Sequence, residues 1–359
     1  MNRVACGLLL AATAACSKAS SKGVEPVASS EISDPFLTPA PSTPPSSSAS
    51  SSSASASAST SPSPSASCAP SQPLGLSPKA SVKLLDPGRE PRRALRYAWH
   101  LDQRELMAIE LSASIAIDTG SVHSSTQLAP LEIAIAVEPQ TLSPAGDLRF
   151  AWHVASAEVG ALDASAAPEM TQGWSAQLVP VAHLSGTASV SSRGVSRSLS
   201  VDVGSAGDAG MDQEMVAQVL QMVRDAAAPL PEEPVGPGAR WQKVTTLDAR
   251  NGQAIQNDTF TLVSLQGDTG QLADVFAQTA SSRTPPASSP LPSPSSSTRA
   301  APAQMDQLLS SGDETVHFDL GRFVAQTRLQ GTTSMAMSAP SSRMNMVMHL
   351  GVTVRGTTP

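Results

Sequence analysis

From about Val82 onward the chain alternates between apolar and polar residues with a period of two. Met107, Ile109, Leu111, Ala113, Ile115 and Ile117 fall on one side, while Glu110, Ser112 and Ser114 fall on the other. Successive strand side chains point to opposite faces, so this is the signature of a long half-buried β-strand. Leu131, Ile133, Ile135 and Val137 repeat it against Glu132 and Glu138. Leu148, Phe150, Trp152 and Val154 repeat it again after the turn residues Pro144-Ala145-Gly146-Asp147. Further strands are expected at Ala176 to Leu184, Thr187 to Val190, Ser196 to Val203, Trp241 to Asp248, Gln256 to Gln266 and Gln271 to Gln278. Asn251-Gly252 and Gly267-Asp268 supply turn chemistry between the last three. Strands at hairpin spacing with few helices between them imply an antiparallel meander.

One segment has a helical period instead. Between Met211 and Ala227, residues Met215, Val219, Met222, Val223 and Ala226 form a single stripe, with Asp212, Gln213, Glu214, Gln218 and Gln221 opposite or flanking it. Asp208 or Asp212 can serve the N-terminus, and Pro229 with Pro231 stops the helix. An amphipathic helix needs a surface to lie on, and the apolar face of the sheet provides one.

Two stretches lack any such pattern. Residues 17–78 are dominated by Ser, Ala and Pro and carry no charge between Phe36 and Pro78. They bury too little apolar area to offset their ordering entropy and are expected to form a disordered tether. From Ser17 to about Pro73, a flexible coil of about 57 residues has a root-mean-square reach of roughly 40 Å. The second stretch, at about 281–304, contains a Pro-rich and Ser-rich run. The chain beyond it holds too few strands to close a core alone, so it reads as a long loop within one β-rich domain at 79–359. Thr315 to Leu320 and the strands after it should return to the same sheet.

The first sixteen residues locate the protein. Arg3 is followed by an apolar run from Val4 to Ala15, which closes on Ala14-Ala15-Cys16 before the polar Ser17-Lys18. This is an export signal, too short to cross a bilayer core, which takes roughly 20 residues of helix. Its end resembles the lipobox of bacterial lipoproteins, with Thr13 where that family usually has Leu. The resemblance implies cleavage before Cys16, diacylglyceryl modification of its thiol, and residence at the outer membrane through the lipid anchor. The alternative is an unlipidated secretory peptide cut near Ala15. Cys6 and Cys16 belong to the signal and Cys68 to the tether, so no intramolecular disulfide remains after processing. The formal net charge of −7, with acidic residues scattered along the chain, argues against nucleic acid and anionic headgroups as partners.

The stretch Leu230-Pro231-Glu232-Glu233-Pro234-Val235-Gly236-Pro237-Gly238-Ala239-Arg240-Trp241 is similar to a recurring signature of an uncharacterised family of bacterial exported proteins, a domain of unknown function. There a proline-rich helix exit leads through a Val-Gly-x-Gly-x-x-Trp turn into a strand. Phe260-Thr261-Leu262-Val263-Ser264-Leu265, Phe318-Asp319-Leu320 and Met344-Asn345-Met346-Val347-Met348 resemble the segments after this turn in that family. The resemblance spans roughly residues 82–357 and carries no known activity to transfer. Physically, Gly236 and Gly238 permit tight turns, and Trp241 is suited to plugging the sheet.

Catalytic signatures are missing: there is no His-Glu-x-x-His, Cys-x-x-Cys, Gly-rich phosphate loop or Gly-x-Ser-x-Gly elbow. The chain therefore reads as non-catalytic, with no cofactor and no metal. An internal echo, Arg96-Tyr97-Ala98-Trp99-His100-Leu101 and Arg149-Phe150-Ala151-Trp152-His153-Val154, would place His100 and His153 across paired strands as half a metal site. Its plainer reading is two equivalent strands with aromatics in the core and His on the wet face. His123, His183 and His317 have no partners at metal-binding spacing. Met335, Met337, Met344, Met346 and Met348, followed by His349, would meet across a hairpin turning at Ala339 to Ser342. Thioether clusters suit Cu(I), but Met344, Met346, Met348, Leu350, Val352 and Val354 form one continuous apolar face, which a core explains without metal.

These patterns together predict a mainly β protein: an antiparallel meander forming a curved sheet or half-barrel, with one amphipathic helix on its concave side. The functional expectation is non-catalytic binding of a hydrophobic ligand between sheet and helix. The alternative is a protein-protein interaction or scaffold module of the envelope. Cu(I) binding through the C-terminal methionines ranks below both.

Overall fold

The computed structural model describes residues 80–120, 122–160, 175, 178–203, 213–249, 252–282, 304–339 and 342–358. Cys16 and the signal peptide, the 17–78 tether with Cys68, and nearly all of the 281–304 loop lie outside these residues. The described strands are β1 (Ala80–Asp86), β2 (Glu105–Asp118), β3 (His123–Gln127), β4 (Leu131–Leu142), β5 (Leu148–Val159), β6 (Ser185–Val190) and β7 (Ser196–Asp202). After the helix α1 (Gln213–Arg224) come β8 (Arg240–Ala249), β9 (Gly252–Gln266), β10 (Thr269–Ser282), β11 (Gln304–Asp319), β12 (Gln326–Ala339) and β13 (Ser342–Thr357). The chain is mainly β, and its antiparallel sheet is not closed into a barrel.

Strand order is β1-β8-β9-β10-β11-β12-β13-β2-β4-β5-β6-β7, with β3 added to the far half of β2. Most neighbours are consecutive, as a meander requires. Three joins are not: β1 pairs with β8, the last strand, β13, pairs with β2 along most of both lengths, and β2 pairs with β4 past β3. The strands after residue 303 thus return to the sheet, with β11 between β10 and β12.

Period-two burial follows the sequence closely. In β2, Met107, Ile109, Leu111, Ala113 and Ile115 are buried; in β13, Met346, Met348, Leu350, Val352 and Val354 face the same core. The turn at Gly267 takes the left-handed conformation that glycine permits (φ 55°). Three aromatic rings lie directly on glycines of nearby strands: Phe276 over Gly312 of β11 and Gly331 of β12, Phe318 over Gly270, and Trp152 over Gly186. A side chain at any of these glycines would meet the ring, so the ring and the bare backbone together fill the inner face there.

Helix α1 is more enclosed than an amphipathic pattern suggests. Met215, Val216, Val219, Leu220, Met222 and Val223 are all buried, and so is Gln218. The chain leaving it is held by groups from the surrounding structure. Tyr97 donates its hydroxyl to the Ala228 carbonyl (3.1 Å), Trp241 Nε1 donates to the Pro229 carbonyl (2.9 Å), and the Ala325 N–H donates to the Ala226 carbonyl (3.0 Å). Trp241 is fully buried and stacks on Phe260, centroids 5.9 Å apart. It plugs the sheet as expected.

Three expectations need correction. Ala176 to Leu184 is not a strand: Ser175 and Leu178 are helical and Val181–His183 forms a 3-10 turn, while residues 176–177 are not described. The strand β3 was not anticipated, since its five exposed residues carry no apolar alternation. The two copies of the echo are also not equivalent. The second lies in β5, whereas Arg96 to His100 is extended chain outside any strand. It is fixed by Tyr97 N–H to the Ser192 carbonyl (2.7 Å) and Ala98 N–H to the Leu320 carbonyl (2.7 Å). Its aromatics are buried, with Tyr97 and Trp99 stacked at 4.3 Å.

The signature turn is under tight steric constraint. A Cβ at Gly236 would overlap the carbonyl oxygen of Arg89 and stand 2.8 Å from that of Pro91. Gly236→Ala should therefore destabilise the protein by about 1 to 3 kcal/mol, the usual range for overpacking, measured as a fall in the urea midpoint. Gly238 has φ 82° but open space around it, so Gly238→Ala tests conformational strain alone and should cost less.

Candidate functional site

The site is built by register on the inner face of β8 to β12. Thr245 pairs directly with Gln256, Gln256 with Gln278, Gln278 with Ser310 and Ser310 with Thr333. These five polar residues form one row running across five strands. Neighbouring strands lie roughly 4.8 Å apart, so the row spans about 19 Å. All five side chains are buried.

Apolar and charged rows flank this belt. On one side Ala254, Leu308, Met335 and Met346 are buried in register with one another through Ala280. On the other, Lys243 lies opposite Asp258, and Asp258 opposite Phe276. One row further, Trp241, Phe260, Asp274, Glu314 and Leu329 succeed one another in direct register. Asp274 and Glu314 thus face each other across adjacent strands. Asp258 sits diagonally from both Asp274 and Gln278, because its own partner, Phe276, lies between them.

Some of these groups satisfy one another. Ser310 Oγ and Thr333 Oγ1 are 2.8 Å apart, Gln256 Nε2 donates to Asp258 Oδ1 (2.6 Å), and Lys243 Nζ donates to Asp225 Oδ1 (2.9 Å) at the end of α1. Others are not satisfied. Thr245 Oγ1, Gln256 Oε1 and both amide atoms of Gln278 are buried without a hydrogen-bond partner. A buried polar group left unpaired costs about 1–3 kcal/mol.

The carboxyl groups are perturbed accordingly. Asp274 is pushed up to about 8 by burial, with the negative charges of Asp258 and Glu314 adding to the shift. Glu314 is also raised, first by burial and then by Asp258, against the opposing hydrogen bond from the Thr327 hydroxyl. Burial disfavours the charged form, and neighbouring carboxylates reinforce it. A further buried carboxyl, Glu105, lies at the start of β2. Equally buried, it accepts the N–H groups of Phe323 (2.6 Å) and Val324 (3.1 Å) and lies 3.5 Å from Arg322. It acts as a structural clamp on the β11–β12 connection.

The residues singled out from sequence fall elsewhere or serve packing. His100 and His153 do not face each other: His153 pairs with Ala136 and Ser185, while His100 lies near Gly321. Both are exposed, and no half metal site is assembled. His123 contacts Asp118 (3.3 Å) on the exposed β3, and His317 lines an outer groove of about 500 Å³ with Asp319 and Arg322. The methionines do meet as the hairpin predicts, Met335 opposite Met346 and Met337 opposite Met344. Met335, Met346 and Met348 belong to the apolar core, and His349 points to the other face against Thr332 (3.1 Å). Among the described residues no three His, Cys, Asp or Glu side chains are grouped to hold a metal ion.

Reading the sequence did not single out the polar belt. Its signal was parity: Gln256 and Asp258 share the phase of Phe260 and Leu262, and Asp274 and Gln278 share that of Leu272 and Phe276. No family model and no curated protein matches the chain.

Two measurements test this geometry. The folded state retains a proton on Asp274 that the unfolded chain releases near its ordinary value of about 4. Stability should therefore be highest below that value and fall as pH rises towards about 8. Asp274→Asn should flatten the dependence of the urea midpoint on pH across that window, leaving the residual slope of Glu314, and should be the more stable form at pH 8. For the methionines, Met346→Ala should cost about 2 to 5 kcal/mol and Met346→Leu less than about 1.5 kcal/mol, as for a packed thioether. One tight Cu(I) equivalent, lost in Met346→Leu without loss of stability, would refute the packing role.

Proposed function

We propose that this chain is a lipid-anchored protein of the bacterial cell envelope that binds a hydrophobic ligand, without catalysis, against the inner face of its open sheet. The observation that carries the reading is the belt of buried polar side chains set between an apolar row and a charged one. Gln278 alone holds two donors and an acceptor without partners, beside the apolar Leu308, Met335 and Met346. Small-molecule sites are mostly apolar with a few placed polar groups that fix orientation. The anchor is supported by the Ala14-Ala15-Cys16 ending of the signal and by the low-complexity stretch that separates it from the sheet.

A second reading, docking of an envelope protein, is favoured by the outer face. There Ile255 and Leu309 share a row through Thr279, and both are about half exposed, as is Val275 in the middle strand. Isolated exposed apolar residues are common on monomers, so this patch ranks below the inner face.

Titration of the purified full chain with N-phenyl-1-naphthylamine, a neutral probe that fluoresces in apolar surroundings, should give saturable binding near one equivalent, displaced by a long-chain alcohol. Absence of saturable binding would reject the ligand reading. Mass spectrometry of the mature N-terminus should find diacylglyceryl-modified Cys16, and Cys16→Ser should release the protein from the membrane fraction. An unmodified terminus would reject the anchor.

A further inference from the structure

We infer that the outer face of the sheet carries a second binding site, a shallow groove across β11, β12, β13, β2 and β3 that takes a neutral oligosaccharide. The site lies on the face opposite the polar belt and does not depend on what the inner face binds.

The groove is a product of register. Ser311, Thr332, His349, Ser114 and Gln127 succeed one another in direct register across these five strands, out of phase with the buried Leu350, Met348 and Thr333. A second row, Asp313, Gln330, Gly351 and Ser112, runs beside it. Together they line a groove of about 510 Å³. Neighbouring strands lie roughly 4.8 Å apart, so a chain lying across them meets fresh side chains at every strand. Gly351 keeps the floor low: a Cβ at that position would stand 2.7 Å from Ser112 Oγ.

The chemistry of the lining selects the ligand by exclusion. Asp313 is the single formally charged side chain lining the groove among the described residues, so a phosphate or carboxylate finds no cation there and one repelling charge. Arg328 stands in the next row, outside the lining, and shares that row with Glu110 through Thr353. An apolar ligand gains little from a surface of hydroxyls, amides, one carboxylate and one imidazole. A metal ion lacks ligands, since no three His, Cys, Asp or Glu side chains are grouped among the described residues. An extended peptide adds to a sheet through backbone groups at an edge. Here β11, β12 and β13 are each paired on both sides, so side chains alone are left to bind.

A neutral molecule dense in hydroxyl groups meets these conditions. The side chains of Ser114, Gln127, Ser311, Asp313 and Gln330 bond to no other group among the described residues, while Thr332 Oγ1 and His349 Nδ1 hold each other at 3.1 Å. The open hydroxyls and amides each offer both a donor and an acceptor, as sugar hydroxyls require. Asp313 accepts from adjacent hydroxyls through charge-assisted bonds, the strongest single contact the groove provides.

Calorimetric titration of the purified full chain tests the site with cellotetraose, chitotetraose, tetragalacturonate and an octapeptide of alternating glycine and serine. At least one of the two neutral tetrasaccharides should bind saturably near one equivalent, at least about tenfold more tightly than tetragalacturonate, whose carboxylates meet Asp313. Asp313→Ala should weaken the neutral sugar about tenfold and narrow its margin over tetragalacturonate to within about threefold. Gly351→Val fills the floor and should abolish binding. Valine suits the extended backbone of β13 and Ser112 can turn aside, so the fold should survive, which urea unfolding checks. Asp313 is exposed, so its variant carries the test should Gly351→Val fail to fold. No binding of either neutral sugar, or equal binding of tetragalacturonate, would overturn the assignment, as would affinity unchanged in both variants. Octapeptide binding as tight as that of the sugars would make this a protein-docking face and overturn it too.

Discussion

The pairing of β13 with β2 is the contact on which the rest of the sheet depends. It brings strands from opposite ends of the described chain into register over thirteen successive partners, Asn345 opposite Asp118 through to Thr357 opposite Leu106. Closing so long a loop costs entropy before any contact repays it. The repayment is apolar: Met348, Leu350, Val352 and Val354 face the same core as Ile115, Ala113, Leu111 and Ile109. A slip of one residue would turn both sets outward. This seam joins β2 and the strands β4–β7 to the hairpins that carry the polar belt, and it leaves β1 and β7 as the two edges.

On one side of that seam the inner face is a conventional core; on the other it is not. β2, β4 and β5 present Ile109, Ile135, Val137, Phe150 and Trp152, whereas β9 to β11 present Gln256, Asp258, Asp274, Gln278 and Glu314 at equivalent phases. Unpaired buried amides and crowded carboxyls lower stability. A protein keeps such groups where function needs them and offsets the loss elsewhere. The offset here is visible in the large apolar residues nearby, Trp241, Phe260 and Phe276, and in the Lys243–Asp225 pair that ties the sheet to the end of α1.

Much of the architecture was legible in sequence because burial and period coincide. The strands from Met107 to Ile117 and from Met344 to Val354, the helix around Met215 to Val223 and the Trp241 plug can all be read from spacing and side-chain size. The failures have physical causes. The segment Arg96 to His100 has strand-like alternation but makes its hydrogen bonds to Ser192 and Leu320, not to a ladder, and alternation alone does not name the partner. Ala176 to Leu184 reads as extended from its apolar residues, yet Pro180 starts a 3-10 turn. The polar belt escaped because Gln and Asp in a strand suggest a wet face; only the parity of Phe260, Leu262, Leu272 and Phe276 shows that they point inward.

The belt also has a property that no local motif could provide. Its residues run from Thr245 to Thr333 in sequence and become neighbours only through four successive strand pairings. Each pairing is locked by apolar partners in adjacent rows, such as Leu308 with Met335 on one side and Trp241 with Phe260 on the other. Shifting one polar residue relative to the next would break those apolar contacts at the same time. The constraint that gives the sheet its register therefore also fixes the spacing of amide, hydroxyl and carboxyl groups across it. Groups positioned this way sit on a rigid scaffold, as a preorganised binding surface requires. The apolar rows hold the polar row in place.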